Sequence, residues 1–357
     1  MGKITIRGGD LDLVEYDFAP FSPGEHINTL GFEKEEYSLE ISEKPVTVRV
    51  PARIHLTVLD MNRFAPNRPG GGGFGFALQL YSTATVACIP SGIEINYTRV
   101  PMIRHLVAVL QKVTGYTGGF SIAVVDHDQK HVGLGSTGSV LTAVAHAVNI
   151  AIGSPLSTKQ LRLLVGHNYV EETATGEVVQ GFETGVGPAA VTYGGMAVLG
   201  DELTLICCHP FAKNKNVFII IPPVKADTAG EGEFGVLMNR ARVLDYRDRE
   251  LKAYMVLMDL IPALIHDDLR RAGDVVWEIE FRGSKRAEVE HNSFMIYQYM
   301  SHLREAGFEF VAMSSVGPTI SVVTEASRAE VEAVLKPLGL TITLETKVDN
   351  EGIKVIS

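Results

Sequence analysis

From Val140 the apolar residues fall at Val140, Leu141, Val144, Ala147, Val148, Ala151 and Ile152, the i, i+3/i+4, i+7/i+8 stripe of a helix with one buried face. The stripe predicts a helix that starts near Ser136–Gly138, directly behind the glycine-rich run that begins at His131. Upstream, residues 46–60 set β-branched side chains in near alternation, interrupted by Pro51, which predicts two strands or one bulged edge strand. Strands are expected over 76–80, 83–89 and 92–97, then a helix over 102–114 and a strand over 119–125 that delivers the chain to the glycine run. Beyond it, 157–168 reads as a helix with Ser157 as N-cap and Leu161, Leu164 and Val165 on its buried face. The glycine-dense passage 181–195 leads into strands near 196–199 and 203–208, and 217–221, closed by Pro222 and Pro223, is a buried strand crossing toward a second half. There, helices over 249–264, 269–280 and 293–305, the first broken or kinked at Ile261-Pro262, precede strands over 308–313 and 319–323, a helix over 328–335 and a strand over 341–346. Residues 1–45 are acidic and turn-rich, alternate only near 3–7 and 38–41, and read as an appended hairpin or arm.

At 357 residues the chain can hold two domains, and 46% hydrophobic with 21% charged residues excludes general disorder. No run approaches 18 uninterrupted apolar residues and the first ten lack an apolar signal core, so a cytoplasmic protein without a membrane partner is expected. Cys88, Cys207 and Cys208 are few, odd in number and without zinc-type spacing; the Cys207–Cys208 pair sits in an apolar run and reads as buried strand. The net charge of −10 speaks against a nucleic-acid surface and leaves room for a basic pocket.

The candidate chemistry begins at the glycine run. Gly133 and Gly135 let the backbone approach a ligand, Ser136 and Thr137 can cap free N–H groups beside Gly138, and a phosphate there meets unpaired donors and the positive end of the helix dipole. On the strand after Pro51, Arg53, His55, Thr57 and Leu59 share one face; the Arg and the His each need a partner or an anion, unless the strand is an edge with a solvated face. Ser314, Ser315, Gly317 and Thr319 form a tight polar turn that either faces the cradle across a cleft or is a plain β-turn.

Four passages, 51–62, Gly133-Leu-Gly-Ser136, Thr184-Gly-Val-Gly187 before Tyr193-Gly-Gly195, and Ser314-Ser-Val-Gly-Pro-Thr319, taken together and in this order, resemble the galactokinase/homoserine kinase/mevalonate kinase/phosphomevalonate kinase (GHMP) superfamily. Within it they resemble the β-ribofuranosylaminobenzene 5′-phosphate synthase branch, also labelled archaeal sugar kinases. The resemblance spans roughly 46–357. It implies an α+β, GHMP-type two-domain fold: a half like ribosomal protein S5 domain 2 over 46–213 and a ferredoxin-like half over 214–357, following the arm 1–45. It also implies a reaction, the joining of phosphoribosyl pyrophosphate to 4-aminobenzoate or a related aromatic acid with loss of CO2 and pyrophosphate, in methanopterin biosynthesis. By position, Gly133, Gly135, Ser136, Thr137 and Gly138 would hold a di- or triphosphate, Ser314, Ser315, Gly317 and Thr319 would close the cleft, and Arg53, His55, Asp60 and Asn62 would handle the second substrate. Arg53 would clamp the aromatic carboxylate and His55, with its ordinary pKa near neutrality, would move a proton displaced from the ring. Mg2+ would sit on the leaving pyrophosphate, with ligands that the motifs do not assign, and the protein would be a homodimer.

The departures cut both ways: the missing base favours the synthase branch, whereas the altered cradle and the insert leave room for a paralogue with a different acceptor. GHMP kinases carry an Asp general base soon after the third glycine motif, where this chain has Gly187-Pro-Ala-Ala190, and the synthase branch lacks that Asp too. A kinase would need another base, for which Glu183 is the neighbour, although a loop Glu is expected to be solvated. The cradle reads Gly-Leu-Gly-Ser-Thr-Gly-Ser139 where the branch often has Gly-Leu-Gly-Ser-Gly-Thr-Gln, and 171–180 is an insert. Three functions therefore stand: phosphoribosyl transfer first, an ATP-dependent small-molecule kinase with ATP in the cradle second, and a non-catalytic nucleotide or metabolite sensor third.

Overall fold

A computed structural model describes the backbone at 3–8 and 11–17 and the residues 19–65, 68–129, 132–224 and 235–356; His131, at the head of the glycine run, lies outside them. The chain opens with an antiparallel hairpin, β1 (Lys3–Gly8) and β2 (Leu11–Asp17). Two long antiparallel strands then carry the N-terminal half, β3 (Val46–Val58) and β4 (Gly73–Ile89). Around them come β5 (Ile93–Asn96), α1 (Val100–Thr114), β6 (Gly119–Val125), α2 (Ser136–Ala151), α3 (Thr158–His167), the hairpin β7 (Val170–Glu172) and β8 (Val178–Gln180), α4 (Val186–Tyr193), β9 (Met196–Leu199) and β10 (Leu205–His209). The main sheet runs β10-β9-β4-β3-β15, with β6 on the far part of β4 and β5 beside β6; β15 is Lys354–Val355. Ser157 caps α3 in a full capping box with Gln160, as its sequence signature requires.

Alternation in β3 does not serve one core throughout. Val46, Val48 and Val50 pack under α1 and α2, whereas Ala52, Ile54 and Leu56 pack with Phe74, Phe76 and Phe310 between the sheet and the C-terminal half. The change coincides with a register shift at Pro51–Ala52, so the expected break at proline is a bulge within one strand. Nor is this stretch a solvated edge. β15 covers only Val48 and Arg49; farther along, Arg53 N–H donates to Leu134 O, His55 N–H to Ser314 Oγ, and Ser315 N–H to His55 O. Loops from both halves thus satisfy the strand edge.

In the C-terminal half, β11 (Asn216–Ile220) is followed by α5 (Arg242–Met255), α6 (Ile261–Ile265), α7 (Leu269–Glu280), α8 (Gly283–Asn292) and α9 (Met295–Glu305), then β12 (Phe310–Met313), β13 (Ile320–Thr324), α10 (Arg328–Leu335) and β14 (Leu344–Thr346). The sheet order β12-β13-β11-β14, all antiparallel, is the ferredoxin-like arrangement. Pro262 lies in the first turn of α6, just past a π-helical stretch, Val256–Leu260, and the helical path continues without a break. Two helices, α4 and α8, occupy passages for which the sequence pattern predicted no element. Among the described residues no helix is long and apolar enough to cross a membrane.

Residues 19–42 lie along the N-terminal half as a strap. Phe21, Ile27, Leu30, Phe32, Tyr37 and Leu39 pack on its core, Phe21 pairs with Val178 of β8, and the Asn168 side chain bonds both the N–H and the C=O of Asn28.

His146 lies on the buried face of α2, and burial pushes its pKa down to about 4. In the unfolded chain it titrates near 6.5, so below that pH the unfolded state takes up a proton that the folded state refuses. Its contribution to stability is intact above pH 6.5 and declines as pH falls toward 4, by about 3 kcal/mol. His146→Leu should flatten unfolding free energy against pH across that window, measured by urea titration; an unchanged slope would contradict the buried neutral ring.

A candidate active-site cleft between the halves

A cleft with a cavity volume of about 100 Å³ opens between the cradle, β3, the loop before α4 and the turn after β12. Of the expected site residues it brings together Arg53, His55, Gly133, Gly135, Ser136, Thr137, Glu183, Ser315 and Gly317. The cradle owes its shape to glycine at two positions. Gly133 has φ 97° and a Cβ there would meet Ser314 O at 2.6 Å; Gly135 has φ 71° and a Cβ would lie 2.8 Å from Arg53 Cγ and Nε. Gly135 is the N-cap of α2 and no side chain caps the helix. This corrects the capping role expected of Ser136 and Thr137, which stand inside the first turn and leave its N–H groups pointing outward. Gly138 also lies inside α2, and a Cβ on it would meet nothing within 4 Å.

The turn after β12 holds the cradle in place. Ser314 Oγ donates to Gly133 O at 2.6 Å and Thr319 Oγ1 donates to Val132 O. Both hydroxyls are thereby committed to the backbone of the cradle, so these two residues join the halves, and Ser315 and Gly317 form the wall. Beneath the turn, buried Lys285 donates to Met313 O at 3.1 Å and Ser315 O at 3.0 Å.

Arg53 Nη1 donates to Gly133 O at 2.8 Å, which sets its guanidinium beside the cradle. Its charge bears on Glu183, whose carboxylate is 8% exposed and accepts from Gly185 N–H at 2.6 Å. Burial raises the Glu183 pKa, against the opposing pull of Arg53 and of N–H donors at the start of α4. The expectation of a solvated loop carboxylate is therefore corrected: Glu183 is anchored in the cleft wall. His55 is corrected too. It is 7% exposed, with Nε2 3.3 Å from Thr184 Oγ1, and burial, then Arg53 and Lys285, push its pKa well below the ordinary value. A ring held neutral is a poor proton shuttle near pH 7.

Asp60 and Asn62 are not in the cleft wall. Asp60 Oδ1 accepts from the N–H and side chain of Asn62, and Asn62 Nδ2 also reaches Arg242 O of α5. They belong to a joint between the halves, where buried Lys252 donates to Val58 O at 2.7 Å and pairs with Asp245. Several wall residues carried no signal in the motifs. Behind the wall, Arg99, with its side chain 4% exposed, bonds Thr137 Oγ1 at 2.8 Å and Glu172 at 2.9 Å and lies 3.5 Å from Glu171. Tyr169 donates to Glu171 at 3.1 Å. The insert thus supplies the rim of the cleft, and α8 supplies Glu288.

Glu171, Glu183 and Glu288 face the cleft with the guanidinium of Arg53, so an anionic polyphosphate fits there best with a divalent cation. Among the described residues no three His, Cys, Asp or Glu side chains form a metal cage. Mg2+ does not need one, since it binds through one or two carboxylates, phosphate oxygens and water; Glu171, Glu183 and the Ser136 hydroxyl are among the oxygen donors on the wall that could hold it.

No protein-family profile matches the chain. It is 27% identical over 338 residues to a protein of Archaeoglobus fulgidus named β-ribofuranosylphenol 5′-phosphate synthase, covering 86% of this chain and 98% of that one. A protein of the same name from Methanothermobacter thermautotrophicus is 24% identical over 336 residues, covering 87% and 98%. Among solved structures, homoserine kinase from Cytophaga hutchinsonii matches with TM-score 0.62 at 16% identity, over 89% of this chain and 99% of that one. Mevalonate diphosphate decarboxylase from Staphylococcus aureus matches with TM-score 0.62 at 17% identity, over 89% and 100%. The chain is thus an enzyme with the two-domain α+β fold of the GHMP superfamily, and in sequence it resembles the β-ribofuranosylphenol 5′-phosphate synthases.

Proposed function

We propose that the chain transfers a phosphoribosyl group from phosphoribosyl pyrophosphate to an aromatic acid with loss of pyrophosphate and CO2, the step of methanopterin assembly that the synthase resemblance implies. The observation that carries this reading is an anion cradle facing a cleft whose wall includes Gly187, while Ala189 and Ala190, at the positions where a GHMP kinase has its catalytic Asp, are packed with Ala197 and Leu199 and bring no carboxylate to the cleft. The relatives' name specifies a phenol, so the acceptor class is a benzoate with an electron-releasing hydroxyl, or an amine, para to the carboxylate.

In this reaction the C1′–oxygen bond to pyrophosphate breaks, a bond forms between C1′ and the ring carbon that bears the carboxylate, and that carbon then loses CO2. The ring keeps its hydrogens, so no ring proton has to move, and a neutral His55 is no obstacle. The free N–H groups at the start of α2 and the Arg53 guanidinium stabilise charge on the departing pyrophosphate. Mg2+ would supply further neutralisation of those oxygens. Glu183 balances Arg53, and Ser314 and Thr319 keep the cradle shut against the C-terminal half.

One observation favours the kinase reading: Glu183 is a buried carboxylate on the cleft wall, where it could deprotonate an alcohol. Pyrophosphate release from phosphoribosyl pyrophosphate with 4-hydroxybenzoate and 4-aminobenzoate, run beside ATP consumption over a panel of small alcohols, separates the readings. Pyrophosphate release that requires the aromatic acid is expected. ATP-dependent phosphorylation lost in Glu183→Gln would make the protein a kinase, and tight binding without turnover would make it a sensor.

A further inference from the structure

One part of the cleft lining is apolar. Val58, Phe182, Leu237 and Val316 form it, and the same residues pack together in one small cluster that includes Ala287 of α8. Such walls accept a flat ring and exclude a phosphate, which would leave its water without replacement donors. Beside Ala287 stands Glu288, 2% exposed and on the cleft wall. Its Oε2 lies 2.7 Å from Lys285 Nζ. The ammonium is itself pinned by the carbonyls of Met313 and Ser315, so the turn that closes the cradle also fixes this carboxylate. A buried ion pair adds little stability over an apolar pair of the same shape, and one whose carboxylate shares the cleft wall with an apolar lining is suited to a polar substituent of a ring held there.

Resting on the phosphoribosyl-transfer reading, we propose that Val58, Phe182, Leu237 and Val316 form the acceptor-ring subsite and that Glu288 is a catalytic residue that takes the proton of the para hydroxyl, with Lys285 as its positioning residue. Proton transfer to Glu288 makes the phenol a phenolate, and the released electron pair raises the nucleophilicity of the ring carbon para to it. That carbon bonds to C1′ while the C1′–oxygen pair leaves with pyrophosphate. The bond to the carboxylate carbon then breaks, its electron pair restores the aromatic ring, CO2 departs, and Glu288 returns the proton to the phenolate oxygen. No oxidant is needed and no proton is gained or lost overall.

The test uses the full chain with Mg2+, phosphoribosyl pyrophosphate and hydroxybenzoates of graded hydroxyl acidity, reading kcat and KM separately. Glu288→Gln should lower kcat with 4-hydroxybenzoate by about 10²–10³-fold, as removal of a general base does, with the KM for phosphoribosyl pyrophosphate nearly unchanged. The loss should shrink by about tenfold or more with a fluorinated hydroxybenzoate that is already ionised, because the base then has nothing to remove. A folded Glu288→Gln protein that keeps wild-type kcat, or loses activity equally with every acceptor, overturns the assignment while the transfer reading stands. Wild-type protein that releases no pyrophosphate with any aromatic acid overturns both. Should Glu288→Gln not fold, Glu288→Asp carries the same comparison: it keeps the charge, shortens the reach, and should show the same dependence on hydroxyl acidity.

Discussion

Gly135→Val should abolish polyphosphate binding in a chain that still folds. The residue sits at φ 71° at the head of α2, and even a bare Cβ would lie 2.8 Å from Arg53 Cγ and Nε and 2.9 Å from Cζ. A branched side chain would drive the guanidinium off the cradle and cover the N–H groups of the helix, removing both sources of positive potential at once. The left-handed backbone adds strain of about 1–3 kcal/mol, tolerable against the roughly 5–15 kcal/mol by which domains are stable. Titration calorimetry with ATP and with phosphoribosyl pyrophosphate should show affinity weakened at least about 100-fold, some 3 kcal/mol. Unchanged affinity for both in a folded variant would mean that the glycine run is only a turn.

Arg53→Ala should lower kcat by about 10²–10³-fold, the range for losing one oriented donor to transition-state charge. Arg53→Lys should recover little, since Nη1 is spent on Gly133 O and an ammonium lacks the remaining fork. Glu183→Gln is expected to act through the same group. With the carboxylate buried against the start of α4, loss of its charge leaves Arg53 unbalanced, and an appreciable fall in kcat replaces the small effect that a solvated loop residue would give. Steady-state kinetics on the three variants decides this; wild-type kcat in Arg53→Ala would remove Arg53 from the site.

What the sequence carried was local. The stripe of α2, the capping box of Ser157 and Gln160 and the alternation of β3 are written in nearest neighbours, and each element formed close to its expected place. The elements β12, β13, α10 and β14 were legible one by one, whereas their ferredoxin-like order around β11 was implied only by the family resemblance. What escaped depends on distant partners. α4 has glycine and proline in its first turns and α8 is a run of charges, so neither shows an amphipathic period, and both are held by packing against other elements. Lys285 and Glu288 sit three apart in Gly-Ser-Lys-Arg-Ala-Glu-Val-Glu, the pattern of a solvated face. They are buried only because the turn after β12, some 30 residues later, closes over them. Arg53 and His55 were legible as side chains needing partners; that Arg53 leans on the cradle and His55 is neutral is tertiary information. Asp60 and Asn62 stood in the right motif yet face the joint with α5.

The central claim is that this cleft couples loss of pyrophosphate to loss of CO2 on one aromatic acceptor. Its most direct test is a time course with carboxyl-labelled 4-hydroxybenzoate and phosphoribosyl pyrophosphate in the presence of Mg2+, counting labelled CO2 and pyrophosphate in the same sample. Equal, enzyme-dependent release of both, absent in Gly135→Val, is the predicted result. Pyrophosphate without CO2, or no release of either while ATP γ-phosphate passes to an alcohol, would contradict it.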